Sequence, residues 1–171
     1  MNSPIDSRAL RAVMRHVPSP VTVVTLAGAD GPRGVTIGSF ASVSLDPPLV
    51  SFNVGIESSI HPHVAAADRF AIHVLHAGQV DVSRHFAQPD LASRSQFVDI
   101  AHTDFDGLPV LSDALAVLIC RRYAVYPAGD HSLVLAEVEA ILDPALDALP
   151  LLYYRQSYRI PGAEVRATSP V

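Results

Sequence analysis

The last third of the chain carries two long strand-like runs, residues 115–126 and 131–142, separated by the turn signal Pro127-Ala128-Gly129-Asp130. Both runs are rich in Val, Leu, Ile and Ala, and the glycine supplies the dihedrals that a reversal needs, so the segment predicts one long antiparallel hairpin. Much of the rest of the chain reads the same way. Residues 20–26 are β-branched, Gly28-Ala29-Asp30-Gly31-Pro32 is a turn, and residues 33–37 return as a second strand. A third strand begins near Ser39, a fourth covers 49–54, a fifth 70–75, and a last one 151–155.

Only three patches have helical periodicity. Residues 6–17 place Leu10, Val13, Met14 and Val17 on one face, with Asp6 or Ser7 as cap, and predict a helix packed on the body. Ser58-Ser59 could cap a short helix through Ala67, with Pro62 in its first turn, and residues 79–86 make a third. Residues 88–107 read as an irregular excursion, a lid or a surface loop. Many antiparallel strands at short spacing with few helices predict an all-β-dominated fold, a small β-barrel and not a βαβ sheet.

At 171 residues the chain suits a single domain over 1–171, with its core in about 10–160 and a flexible tail after 161. Hydrophobic residues make up 49% against 17% charged, which excludes disorder and favours tight burial, including across subunits. No apolar run reaches the roughly 18 residues of a membrane span, and no secretory leader opens the chain, so no membrane and a cytoplasmic location are expected. The net charge is −5 and every basic side chain is an arginine, which argues against a nucleic-acid partner. Any anionic ligand must be held by a local pocket.

The chemistry-bearing residues are few. No GxGxxG, GxxxxGK[ST], CxxC, HExxH or GxSxG motif occurs. Cys120 sits in an apolar run and reads as an inert core thiol. His61-Pro62-His63, with His73, His76 and His85, is the best metal candidate, but no carboxylate or thiolate stands at ligand spacing, so no metal is assigned. Glu137 and Glu139 share a strand face and read as a solvated strand end. Asp130-His131, just after the glycine turn, either projects over a barrel rim toward a ligand or is a satisfied turn residue. The densest stretch is residues 35–50, where Thr36, Ser39, Ser42 and Ser44 thread through two apolar strands and Pro47-Pro48 rigidifies the turn between them. Uncharged hydroxyls and amides of this kind suit a neutral, polar-edged ring such as a flavin.

Several ordered motifs together resemble the short-chain flavin reductases, the reductase partners of two-component monooxygenases. They are Pro20-Val21-Thr22-Val23-Val24-Thr25, Thr36-Ile37-Gly38-Ser39-Phe40-Ala41-Ser42-Val43-Ser44-Leu45-Asp46-Pro47-Pro48, Phe70-Ala71-Ile72-His73-Val74-Leu75, and Gln79 with Arg84-His85-Phe86-Ala87. Gly129-Asp130-His131, Pro150-Leu151-Leu152-Tyr153-Tyr154-Arg155 and Tyr158-Arg159 complete the series. The resemblance implies a split β-barrel of the FMN-binding type with Greek-key topology, working as a homodimer with FMN or FAD and NADH or NADPH. It implies that Thr36, Ile37, Gly38, Ser39, Phe40, Ala41 and Ser42 line the flavin ring. The turn with Asn53, Val54, Gly55, Ser58, Ser59 and Ile60 would hold the flavin phosphate, with Arg84 adding charge and Phe86 beside it. His131 would be the catalytic residue, orienting the nicotinamide, with Tyr153, Tyr154 and Arg155 flanking. The chain departs from the pattern at Gly38, where asparagine is frequent, at Pro20, where glycine is, and at Ile60-His61-Pro62, where a polar or basic residue is more usual.

Overall fold

The computed structural model describes residues 5–88, 96–142 and 147–163. In chain order the elements are α1 (Ser7–Met14), β1 (Ser19–Pro20), β2 (Thr22–Gly28), β3 (Gly31–Ile37), β4 (Ala41–Leu45), β5 (Pro48–Gly55), α2 (His61–Ala66) and β6 (Arg69–Val74). A 3-10 turn (Ala77–Gln79) leads into α3 (Val80–Phe86), followed by β7 (His102–Phe105), β8 (Leu108–Leu111), β9 (Ala116–Ala128), β10 (His131–Leu142), β11 (Leu152–Tyr154) and β12 (Ser157–Arg159).

The predicted hairpin is the spine. β10 pairs with β9 from His131↔Ala128 to Leu142↔Val117, and on its other side with β5 from His131↔Gly55 to Glu137↔Leu49. The seven-stranded sheet runs β3-β2-β6-β9-β10-β5-β4. Strands β6, β9 and β10 are successive neighbours while β5, which precedes β6, lies beside β10, which is a Greek key. Curling puts one face inside. Val24, Leu26, Ile37, Val50, Phe52, Val54, Phe70, Ile72, Cys120, Val134 and Ala136, from six of the seven strands, form one cluster with Ile60 and Val64. Phe52 and Phe70 meet edge to face at 5.6 Å within it. Each buried Val, Leu, Ile or Phe side chain here contributes about 1.5–3 kcal/mol. The fold is a split β-barrel, as expected.

Strand β2 is covered on both faces, which explains why it lacks clean alternation. Val24 and Leu26 point into the barrel; Val21, just before the strand, and Val23 pack outside against Leu75, Phe86, Phe97, Leu111 and Leu151. Its buried hydroxyls are satisfied: Thr22 donates to the Ile37 carbonyl and Thr25 to that of Pro109. His73 on β6 has no exposed surface and bolts the β7–β8 hairpin to the barrel. Its Nδ1–H donates to the Val23 carbonyl (3.0 Å), and Nε2 accepts the Leu111 N–H (3.0 Å). Burial holds its pKa down at about 4, because a charged ring would lose its hydration.

Several expectations are corrected. The first helix spans only Ser7–Met14, and its apolar face is not packed on the body: Leu10, Val13 and Met14 are each at least half exposed, as is Val17 beyond it. Ser58 and Ser59 do not cap α2, which starts at His61 behind Ile60 with no side-chain cap bond. The excursion contains strand β7, paired with an unforeseen β8; its residues 89–95 and the tail from 164 lie outside the described residues. The third strand, β4, carries a bulge between its serines: Ser42 opposes Val50 and Ser44 opposes Leu49, which leaves Val43 without an opposite number. The closing strand is a hairpin, β11–β12, and the 127–130 turn shrinks to Gly129 and Asp130. Glu137 and Glu139 are both held by Arg121, at 2.9 and 3.2 Å.

The His73 bolt predicts a pH dependence. Its folded pKa lies below the unfolded value of 6.5, so the unfolded chain binds the extra proton and stability falls as pH drops from about 6.5 to 4. His73→Leu leaves the Leu111 N–H unpaired and costs about 1–3 kcal/mol at pH 7. Urea titrations should show the wild type losing about 3 kcal/mol relative to the variant toward pH 4, so that the gap closes or reverses in sign; a constant gap refutes the assignment.

Candidate active site

The sheet has two end strands, β3 and β4, with no ladder between them. Along this seam β3 and the end of β5 line a cleft of about 490 Å³, within the roughly 300–1,000 Å³ of small-molecule sites. Its walls are Val35, Thr36, Ile37, Gly38 and Ser39 on one side and Asn53, Val54, Gly55 and Ser58 on the other, with Ala128 and His131 at the rim.

The free edge of β3 is sealed at one residue and left open at the next. Gln96, nearly fully buried, takes both backbone groups of Gly34: its Oε1 accepts the Gly34 N–H and its Nε2 donates to the Gly34 carbonyl, each at 3.0 Å. The Gly34 groups therefore point away from β2, and with the two-residue period of a strand those of Thr36 point the same way, into the seam. The Thr36 hydroxyl is used elsewhere, donating to the Ser83 carbonyl at 2.7 Å and tying β3 to α3. Ser39 Oγ accepts the Asn53 N–H at 2.9 Å and spans the seam where no ladder does.

Gly38 fits a crowded place. A Cβ there would lie 3.1 Å from Ser19 Oγ. Gly38, Thr36 and Ile37 also line a second cavity of about 200 Å³ with Pro20, Val21, Tyr153 and Tyr158, so the two cavities meet across this residue. A third, about 120 Å³, adjoins the cleft at Val35 and Ser58 and includes Arg33, Ser59, Ile60 and Phe86.

His131 stands where β9, β10 and β5 converge, opposite Gly55. Its Nδ1–H donates to Asp130 Oδ1 at 2.7 Å, and that bond, with the imidazole's field, lowers the Asp130 pKa. A Cβ on Gly55 would lie 3.8 Å from Nε2, so Nε2 is the ring nitrogen on the cleft side. His131 thus combines the two readings: Nδ1 is satisfied within the turn by Asp130, and Nε2 lies on the cleft side.

The structure thus brings Thr36, Ile37, Gly38, Ser39, Asn53, Val54, Gly55, Ser58 and His131 to one cleft. Ser59, Ile60 and Phe86 belong to the adjoining cavity, Phe86 mostly as a core ring against Phe97. Tyr153 stacks edge-on against Tyr158 at 5.4 Å in the second cavity. Arg84 lies 5.6 Å over the Tyr158 ring and 3.6 Å from Asp81. Arg155 covers the Tyr154 ring at 5.4 Å. Phe40 packs on the barrel core, while Ala41 and Ser42 lie exposed on β4 outside the cleft walls. Gln96 and Ser19 were not foreseen, and Tyr158 was expected only as part of the closing strand; Gln96 acts on a residue 62 positions away, and no local pattern announces that. Cys120, in the core, has its thiol pushed up to about 12 by burial. Among the described residues no three His, Cys, Asp or Glu gather as metal ligands.

The sequence model of the flavin reductase like domain matches residues 14–162. The chain belongs to this family. It is 42% identical over 160 residues to an NADH:riboflavin 5'-phosphate oxidoreductase of Streptomyces pristinaespiralis, covering 92% of this chain and 89% of that protein. It is 35% identical over 173 residues to the reductase subunit of a flavin-dependent monooxygenase of Mycobacterium tuberculosis, covering 99% and 89%. The structure of a Streptomyces globisporus NADH:FAD oxidoreductase in complex with NAD and FAD fragments superposes with a TM-score of 0.84 at 35% identity, covering 96% and 100%.

A branched side chain at position 38 should close the passage between the first two cavities. Gly38→Val is expected to shift the thermal midpoint by a few degrees, about 4 °C or less, because the neighbour it meets is the mobile Ser19 hydroxyl. Flavin affinity, read by fluorescence quenching, should fall about tenfold or more; unchanged affinity would remove Gly38 from the site.

Proposed function

We propose that this chain is an NAD(P)H:flavin oxidoreductase that transfers hydride from a reduced nicotinamide to FMN or FAD. The observation that carries the reading is the open seam: a cleft walled by backbone edge, small hydroxyls and glycines, with one imidazole at its rim. The residues fit a flavin ring. The backbone groups of Thr36 offer a donor and an acceptor without charge, Gly38 and Gly55 leave room for close approach, and no carboxylate lines the walls. When bound, flavin supplies an electron-poor ring that accepts hydride, so the protein needs no acid, base or nucleophile of its own.

What the chain does is bind and orient. Residues 36–39 hold the polar edge of the ring, their amides placed before the substrate arrives. Ser58 and Ser59 are the proposed phosphate contacts; that assignment rests on their hydroxyls and the nearby Arg33, since α2 begins only at His61. Asp130 fixes the imidazole of His131 by its bond to Nδ1–H, and Nε2 is then directed across Gly55, where it positions the nicotinamide. The reductant is drawn from the cytoplasmic nicotinamide pool. The reduced flavin is passed to a monooxygenase partner, a reading supported by the mycobacterial relative. The exposed apolar face of α1 supports a homodimer in which a second copy covers it.

Anaerobic mixing of the protein with flavin and NADH or NADPH should bleach the flavin absorbance band; no bleaching with either nucleotide points instead to a flavin-binding module without reductase activity. His131→Ala should raise the KM for the nicotinamide nucleotide about tenfold with a smaller effect on single-turnover hydride transfer. An unchanged KM with hydride transfer abolished would assign the imidazole to chemistry instead of orientation. Light scattering should give a dimer for the wild type and a monomer for Leu10→Glu combined with Val13→Glu.

A further inference from the structure

The arginines divide sharply by their partners. Arg8, Arg33, Arg69, Arg84, Arg121 and Arg122 each reach a carboxylate oxygen within 4 Å. Among the described residues Arg11, Arg15, Arg155 and Arg159 do not. Three of these four converge: Arg11, Arg15 and Arg155 line one groove of about 270 Å³ together with Ser19, Tyr153 and Gln156. An acidic protein with free acids all over its surface leaves three guanidinium groups without an ion-pair partner around a single opening. Asp130, at the turn that carries His131, feels Arg11 from beyond ion-pair distance.

The groove is built, not incidental. Its far wall is the β11–β12 hairpin, whose two turn residues, Arg155 and Gln156, both have positive φ (49° and 61°). That turn type favours asparagine and glycine, and holding an arginine there costs about 1–2 kcal/mol. Backbone strain of this kind persists where surrounding contacts fix it. Here the Arg155 N–H donates to the Arg15 carbonyl at 3.2 Å, the Arg155 guanidinium donates to His16 Nδ1 at 3.2 Å, and the Gln156 amide oxygen accepts from Arg15 Nη1 and Nε. The end of α1 is stitched to the hairpin with its charges left facing outward.

Its position gives it a task. Ser19 and Tyr153 are shared with the cavity that meets the cleft at Gly38, so three adjoining cavities lie in series from His131 past Tyr153 to the three arginines. We propose that this groove recognises the diphosphate of a dinucleotide whose reactive ring lies in the cleft. Guanidinium forks pair with phosphate oxygens in parallel hydrogen bonds, which a lone ammonium does not match. The proposal rests on the reductase reading, which places the flavin phosphate at Ser58 and Ser59 and so leaves this groove to the diphosphate of NAD(P)H.

The test uses the full chain and the double variant Arg11→Gln/Arg155→Gln, with Arg11→Lys/Arg155→Lys for partial rescue and Arg121→Gln as a control outside the groove. Thermal melts verify folding. KM is measured for NADH and for reduced nicotinamide mononucleotide, which lacks the diphosphate bridge, with FMN and then FAD as acceptor. A KM for NADH raised about tenfold or more at unchanged kcat, with the mononucleotide unaffected, assigns the groove to the nicotinamide dinucleotide. The same rise for FAD alone, with FMN and NADH unaffected, overturns it, because the groove would then hold the flavin phosphates placed at Ser58 and Ser59. Unchanged constants for both dinucleotides overturn the proposal. Calorimetric titration with ADP gives an activity-independent arm: affinity about tenfold weaker in the Gln variant supports the groove even if the wild type reduces no flavin, and equal affinity sinks it.

Discussion

An unclosed barrel is the constraint on which the rest of the molecule depends. Strands β3 and β4 are both sheet ends, and a strand end is a row of hydrogen-bonding groups that must find some partner. The protein meets this demand in pieces. Gln96 supplies an amide to Gly34, Ser39 supplies a hydroxyl to Asn53, and the stretch between is left for a ligand. Binding capacity here is therefore a by-product of leaving one ladder unmade, and it needs no charged side chain inside the cleft.

Most side chains near the seam serve the fold first. Thr36 ties β3 to α3 through its hydroxyl, and the second face of β2 is closed by α3, by the β7–β8 hairpin and by His73. This division leaves the backbone of β3 facing the cleft and the side chains as its supports. Charge is kept to the periphery, in the Asp130–His131 pair at the rim and the arginines beside α1, where electrostatics steer and orient without a desolvation cost in the cleft.

The barrel was legible in the sequence wherever an element makes its own case. Residues 131–142 read as a strand and are one, and the 28–32 turn gave the β2–β3 hairpin, because alternation and turn chemistry are local. What failed was non-local. The apolar stripe of α1 predicted packing against this chain, but a stripe records only that something covers it. The serines at 58 and 59 had the right chemistry for a helix cap, yet the Pro62 that follows moved the start to His61. Strand β8 is short and buried, and Pro109 within it hid its pairing. The cleft residues on β3 and at His131 were found because a family resemblance placed them together; the Gln96 clamp lies beyond any pattern that the chain displays along its length.

The Gln96 clamp also bears on how this protein survives in crowded solution. An unpaired sheet edge next to apolar strands is a template for another chain's strand, and sheets that extend from molecule to molecule begin at such edges. A side-chain amide placed on Gly34 imitates the incoming strand at one position and ends there, so a second chain meets an interrupted edge. The seam can accept a small ring between the clamp and Ser39 while refusing the long, continuous register that an aggregate requires.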